Sequence, residues 1–492
     1  MIDIAKELIN QLNKNKIKYC HWKSNIGLEK ELDGGELDFY VTHESKEIFQ
    51  KIIESLGFIR VIVPLQKHIH NVFHYYGLDS KTGKLLHLHI FYSIVTGESL
   101  IKNYEFEIGD ILLKDMTEKF GIPVPNSQLE LFLFVIRIYS KHLSYIEYLI
   151  LLRDYKKIHQ ELAYLEKESQ GKLISEEICE RYFNNIPLDL IYDGIFLLKC
   201  GSNYLQKYRH SRKINKYIRK YNRYSTLRSF YLRLKILFRI FFKKIFSRKK
   251  FKHIKSEGFI CAITGPEATG KSTLVKVISN WIGCNFLVYN FHIGKPPSSV
   301  LTLPINIISP LMKIFFQKES NVYKIKNSIS NNIKPSGIIY SIKSILLAYD
   351  RLKLSNKMRK NSKNGAVVIS DRWPSPKIGS MDSPRIIVGN NNSKSIIVNY
   401  LSILENKIYK NILPPDLIIS LVVSPEIAEK RNQERVKKNK ESTDYVLKRH
   451  NPVYCPDFSG ISTVELNTDN DLPNTIISIK NIFWENIVAF DG

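Results

Sequence analysis

Apolar positions change their period along the chain, and the changes divide it. From residue 1 to about 125, short apolar runs at Leu37–Val41, Phe58–Val63 and Leu85–Tyr92 are interleaved with helical patterns such as Glu44–Leu56. Short runs bounded by turns predict strands, and the mixture predicts a small α/β or α+β domain over 1–125. Pro123 and Pro125 close it, and Asn126-Ser127 can cap the next helix. From Gln128 to about Tyr204 the period is helical, as in LELFLFVIRIYSKHLSYIEYLILLRDY, so 126–205 is expected to be a helical subdomain packed on the first domain. Residues 206–257 read as a connector. At 258 a buried-strand pattern, a Gly-containing loop and a helical pattern follow at once and open an α/β domain over 258–492.

The connector changes the picture of charge. The chain of 492 residues has a formal net charge of +26, but 19 of its 73 Lys/Arg lie between Lys207 and Lys255, where no Asp or Glu occurs. Outside that stretch 54 basic residues face 47 acidic ones, so the basicity is local and a whole-chain argument for nucleic-acid binding fails. On a helical wheel Phe230, Leu234, Leu237, Phe238, Phe241 and Ile245 gather on one side and Arg228, Lys235, Arg239 and Lys243 on the other, with Arg233 and Lys244 at one edge of the apolar side. Three roles follow. The apolar face packs on the C-terminal domain as a connector; or 228–250 lies on an anionic membrane surface; or the basic face binds nucleic-acid phosphates, placed last because no nucleic-acid fold signature accompanies it.

Six cysteines, at Cys20, Cys179, Cys200, Cys261, Cys284 and Cys455, form no C-x-x-C pair and suggest neither a zinc ribbon nor a disulfide framework. The first twenty residues are amphipathic without the apolar core of a signal peptide, and no apolar run reaches membrane-spanning length. The expectation is a cytoplasmic protein, peripheral at the inner face of the membrane if the connector binds lipid.

The strongest chemical signal is the run from Gly258 to Ser272. Gly258-Phe-Ile-Cys-Ala-Ile-Thr264 is almost wholly apolar, as a buried parallel strand is. It feeds Gly265, Pro266, Glu267, Ala268, Thr269, Gly270, Lys271, Ser272 and Thr273, which is G-x-x-x-x-G-K-[ST] in strand–loop–helix context. The glycines let backbone N–H groups turn inward around phosphate oxygens, and the helix N-terminus adds its positive end. Lys271 is expected at the β- and γ-phosphates of ATP and Ser272 on magnesium. A second strand, Gly365–Ser370, ends in Asp371-Arg372, where a carboxylate can hold the hydrated Mg2+ and an arginine can clamp an anionic acceptor. A third, Asp416–Val423, leads to a helix with Arg431 and Arg435, and VKKNKESTDYVLKRH reads as a lid.

Taken in order, GPEATGKST, LAYDR, VVISDRW, PDLIISLVV and RNQER resemble the thymidylate kinase family of P-loop nucleoside monophosphate kinases over about 230 residues. The resemblance implies a parallel sheet flanked by helices and transfer of the γ-phosphoryl of ATP to a small acceptor. It places Glu267 at the acceptor sugar, Arg351 and Arg372 near the acceptor phosphate, and Asp371 as the carboxylate of the D-R motif. With Ala268 where some members have a loop arginine, it assigns stabilisation of the transferring group to Arg431, Arg435 or a lid neighbour. The segment Trp373–Arg385 departs from the family's thymine-pocket pattern, and Leu421-Val422-Val423 lacks its acid, so the acceptor differs: a nucleotide or a sugar-type molecule, with Phe291–Pro297 lining the altered site. A regulatory, nucleotide-binding protein without catalysis is the alternative.

Tyr19–Ser24 followed by Leu32–Val41 resembles the nucleotidyltransferase fold, whose [DE]-h-[DE] pair is matched by Glu36 and Asp38. Alternation on a strand points both carboxylates one way, as a metal pair requires. The family's third carboxylate comes from a neighbouring strand, and here Leu85–Ile90 offers histidines instead. An active variant, a degenerate ligand-binding domain and a scaffold all stay open, the second leading. The histidines at 68, 70, 74, 87 and 89 read as structural or substrate-contacting, because no carboxylate lies near them in sequence to complete a metal pattern. The combination resembles bacterial proteins that serve surface-polysaccharide assembly.

Overall fold

In the computed structural model the residues described are 1–63, 69–141, 145–200, 203–245, 252–255, 257–299, 302, 336–377, 380, 382–388, 393–434, 446, 450 and 456–491. Arg435, His68, Cys455 and nearly all of the expected lid lie outside them. The chain forms two compact units, Met1–Lys252 and His253–Gly492.

In the first unit, strands β1 (Tyr19–His21), β2 (Glu36–Val41), β3 (Ile59–Ile62), β4 (Val72–Leu78) and β5 (Leu85–Phe91) form a mixed sheet in the order β1-β2-β5-β4-β3. β5 sits at its centre and every one of its residues is buried, which is why LLHLHIF shows no clean alternation. β2 pairs parallel to β5, with Glu36 opposite His87 and Asp38 opposite His89. Helices α1 (Asp3–Lys14) and α2 (Lys46–Ser55) turn Leu8, Leu12, Phe49 and Ile53 onto one core with Leu37, Phe39, Leu88 and Ile90.

A second core belongs to the helices that follow: α3 (Ser127–Lys141), α4 (Tyr145–Arg153), α5 (Tyr155–Glu168), α6 (Glu176–Phe183), α7 (Leu188–Lys199) and α8 (Tyr204–Ile218). α3 is buried continuously from Leu129 to Ile136, as a helix apolar all round must be. It packs with Trp22, Tyr40 and Phe91, so the sheet and the helices share this core inside one unit. Asn203 and Gln206 start α8 with a reciprocal capping box. The connector helix α9 runs from Thr226 to Ile245. Along it Leu227, Phe230, Leu234 and Phe238 are exposed.

The second unit is a five-stranded, wholly parallel sheet of β6 (Ile260–Thr264), β7 (Val288–His292), β8 (Val367–Asp371), β9 (Leu417–Val422) and β10 (Thr463–Asn467), in the order β7-β8-β6-β9-β10. All five β6 residues are buried, as a central strand covered on both faces requires. Helices α10 (Lys271–Gly283), α11 (Ile338–Lys363), α12 (Ser393–Lys410), α13 (Pro425–Glu434) and α14 (Leu472–Asp491) connect and follow the strands. The N-terminal edge is pinned by Asp416, which accepts the Ile260 N–H at 2.7 Å and pairs with Arg359 at 3.0 Å.

Candidate functional site

β6 is central and α10 follows it directly, so the loop 265–270 emerges at the C-terminal edge of the sheet between β8 and β9. Its path demands left-handed backbone at Gly265 (φ 140°), Ala268 (φ 66°) and Gly270 (φ 85°). A Cβ on Gly265 would meet the Leu421 carbonyl oxygen at 2.5 Å, so glycine is required by space as well as by torsion. Ala268 accepts the strained torsion because it packs with Val423, Ala428 and Val446. Thr269, wholly buried, donates to the Pro266 carbonyl at 2.9 Å and closes the loop on itself. The Lys271 ammonium folds back over the loop to the Pro266 carbonyl and to Thr269 Oγ1 at 3.4 Å. A loop with left-handed turns, a helix N-terminus and one buried ammonium meet there, the combination that binds phosphate.

Asp371 ends β8 and lies opposite Ile263, one residue before the loop strand ends. Its Oδ1 is buried with no hydrogen-bond partner among the described residues. A carboxylate oxygen left in that state beside a phosphate cradle fits a hydrated cation, and Ser272, exposed on the first turn of α10, fits the second protein ligand. The bound ion would supply charge neutralisation across the phosphates.

The arginines separate. Arg372 adopts φ 73°, donates its N–H to the Ile263 carbonyl at 2.9 Å, and sets its guanidinium 3.8 Å from Glu267 and 3.6 Å from Asp382. It therefore faces the loop. Arg351 does not: its guanidinium is wholly buried. It donates to the carbonyls of Ile293 (3.2 Å), Gly294 (3.3 Å) and Asp382 (2.9 Å), to Asp382 Oδ1 (2.6 Å) and to Tyr409. With its N–H groups taken, Arg351 holds the Phe291–Pro297 peptide against the segment carrying Asp382, and contact with an acceptor phosphate would require it to leave that pocket. Its neighbour Asp350 accepts from the Ser299 N–H and the Thr302 hydroxyl. Arg431 donates to the Thr468 carbonyl at 2.6 Å and its hydroxyl at 3.3 Å, tying α13 to the loop after β10. Asp382 and Tyr409 belong to no motif and escaped the sequence reading.

In the first unit the β2–β5 register does what sequence spacing does not show. His89 Nδ1 lies 2.8 Å from Asp38 Oδ1 and 3.1 Å from Glu36 Oε1, and the three groups offer ligand atoms within 4.8 Å of one another. The expectation that no carboxylate completes a histidine metal pattern is thus corrected, because strand pairing supplies the carboxylates. Against the opposing effect of burial, Glu36 is held below its ordinary range by His87 and His89, and Asp38 by Lys23 at 2.8 Å and then by His89. His74, stacked on His89 at 4.2 Å, is kept neutral by burial and by the neighbouring histidines.

No family model and no curated protein matches the chain. Among solved structures it is similar to a deoxyadenosine kinase from M. mycoides with bound dATP, at 17% identity over 46% of this chain and 98% of that one, TM-score 0.25. It is likewise similar to a thymidylate kinase from Candida albicans, at 15% identity over 47% of this chain and 91% of that one, TM-score 0.25. At such scores the matches add nothing to what the chain's own loop and sheet establish.

Proposed function

We propose that the second unit is an ATP-dependent phosphotransferase that moves the γ-phosphoryl group of ATP to a small acceptor of the nucleotide or sugar type. The observation that supports it most is the convergence of Lys271, the left-handed loop, the unpartnered Asp371 oxygen and Arg372 at one edge of a parallel sheet. A binding protein needs the cradle alone. Transfer also needs a cation site and a guanidinium where an anionic acceptor would approach, and Asp371 and Arg372 supply both. Arg372 and Glu267 are the acceptor-facing pair. The resemblance of the whole arrangement to bacterial proteins of surface-polysaccharide assembly suggests that setting for the reaction. The test is ADP release with Mg-ATP against nucleoside monophosphates, sugars and sugar phosphates. Acceptor-dependent release that vanishes in Lys271→Ala supports the reading, whereas tight ATP binding with no acceptor-dependent release makes the protein a nucleotide-binding regulator.

For the connector, we propose contact of 228–250 with an anionic membrane surface. Leu227, Phe230, Leu234 and Phe238 are 84%, 57%, 50% and 65% exposed along one helical stripe, a costly arrangement in water beside a basic face. Among the described residues no helix is long and apolar enough to cross a membrane.

A further inference from the structure

The first unit holds a cavity of about 420 Å³ between the ends of β1 and β5 and helices α3, α4 and α5. Six cationic side chains line it, Lys23, Lys102, Arg137, Lys141, Arg153 and Lys157, against three carboxylates, Glu147, Asp154 and Glu161. Arg137 pairs with Glu161 at 3.0 Å, Arg153 with Asp154 at 2.9 Å, and Lys23 with Asp38 at 2.8 Å. Glu147 accepts from the Ser99 N–H and hydroxyl at 2.7 and 2.9 Å. Among the described residues, no carboxylate lies within ion-pair distance of Lys102, Lys141 or Lys157.

Such a cluster is unfavourable without an anion. Like charges at the cavity repel, and Lys102 and Lys141, half-buried, lose hydration that no carboxylate restores, whereas Arg153 and Lys157 stay exposed. Burial, then the cations around it, pushes Lys102 down to about 8; burial, then Lys102, Arg137 and Lys23, pushes Lys141 to about 7, with Glu147 opposing both shifts. Packing does not explain the cluster, since aliphatic side chains would fill the space at less cost.

We infer that this cavity binds a small molecule bearing a phosphate or diphosphate group. Lysine ammonium groups from separate elements suit a tetrahedral polyanion approached from several directions. The volume suits a small organic molecule and excludes a nucleic-acid duplex. Trp22 and Phe91, 5.2 Å apart edge to face, form an aromatic wall for the organic remainder. Buried Trp22 Nε1, without a hydrogen-bond partner among the described residues, is a further donor. The site lies within the first unit and stands whether or not the second unit transfers phosphate.

The test is calorimetric titration of inorganic pyrophosphate into the full-length chain carrying Lys271→Ala, which disables the phosphate loop. Saturable binding is expected, weakened about 10- to 100-fold by Lys102→Gln or Lys141→Gln, the range for losing a charge-assisted contact. Lys157→Glu, on the exposed side of α5, is expected to weaken it as well and decides the matter if circular dichroism shows the other two variants unfolded. No binding to the Lys271→Ala chain, or binding unchanged in every folded variant, overturns the inference.

Discussion

Replacing Arg351 by methionine separates two roles for that residue. Methionine keeps most of the stem volume but leaves Asp382 Oδ1, now 2.6 Å from a guanidinium, without its buried partner. It also strips donors from the carbonyls of Ile293, Gly294 and Asp382. Breaking a buried ion pair by removing one member costs about 3–5 kcal/mol. For a unit of this size each kcal/mol lowers Tm by roughly 2–4 °C, so a drop of about 6–20 °C is expected. Differential scanning calorimetry measures it, with the second unit's transition identified by the shift ATP induces. Adding Asp382→Asn should recover part of the loss, because it removes a buried carboxylate whose remaining counter-charge, Arg372, is 3.6 Å away. A Tm within a degree or two of wild type, together with collapsed phosphoryl transfer, would refute the organising role and restore Arg351 to the acceptor.

Other changes test the remaining geometry. Gly265→Ala should weaken ATP binding at least tenfold and destabilise the unit by about 1–3 kcal/mol, since the torsion is strained and the Leu421 carbonyl blocks the methyl, as filter binding and thermal melts would show. Asp38→Asn or His89→Ala should reduce Mn2+ binding by the nucleotide-free chain at least tenfold by electron paramagnetic resonance; unchanged binding would place the ion elsewhere. Lys141, held at about 7 in the fold against 10.5 when unfolded, makes the unfolded chain bind the extra proton between those values, so its contribution to stability rises with pH across that window. Lys141→Met should accordingly be more stable than wild type below pH 7, with the gain fading toward about pH 10 in parallel melts. Vesicles of anionic lipid should bind the intact chain and lose it on deletion of 228–250; no binding by the intact chain sinks the membrane proposal.

What could be read in advance depended on how local each feature is. The phosphate loop is strand, turn and helix in one continuous stretch, so its residues announced their own geometry. Glu36 and Asp38 were visible for the same reason, sitting two apart on one strand. His89 gained its meaning only from pairing β5 beside β2 in a register that no single-strand pattern encodes. Arg351 looked like an acceptor contact because its motif is local. Its partners Asp382 and Tyr409 arrive 31 and 58 residues later from segments without a signature. The cationic cavity was equally hidden, since its lysines come from a loop and two helices and each alone reads as surface charge.

Finally, the parallel order β7-β8-β6-β9-β10 has a mechanical consequence. The unit is entered at β6, the middle strand, and left through β10 and α14. Tension along the chain would therefore draw β6 backward from its N-terminal end while β10 is drawn forward. The ladders on both sides of β6 would be loaded in shear, many hydrogen bonds at once, with Asp416 clamping the end where the load enters. Under pulling, the phosphate loop would thus hang from a strand that many hydrogen bonds must release together before it moves.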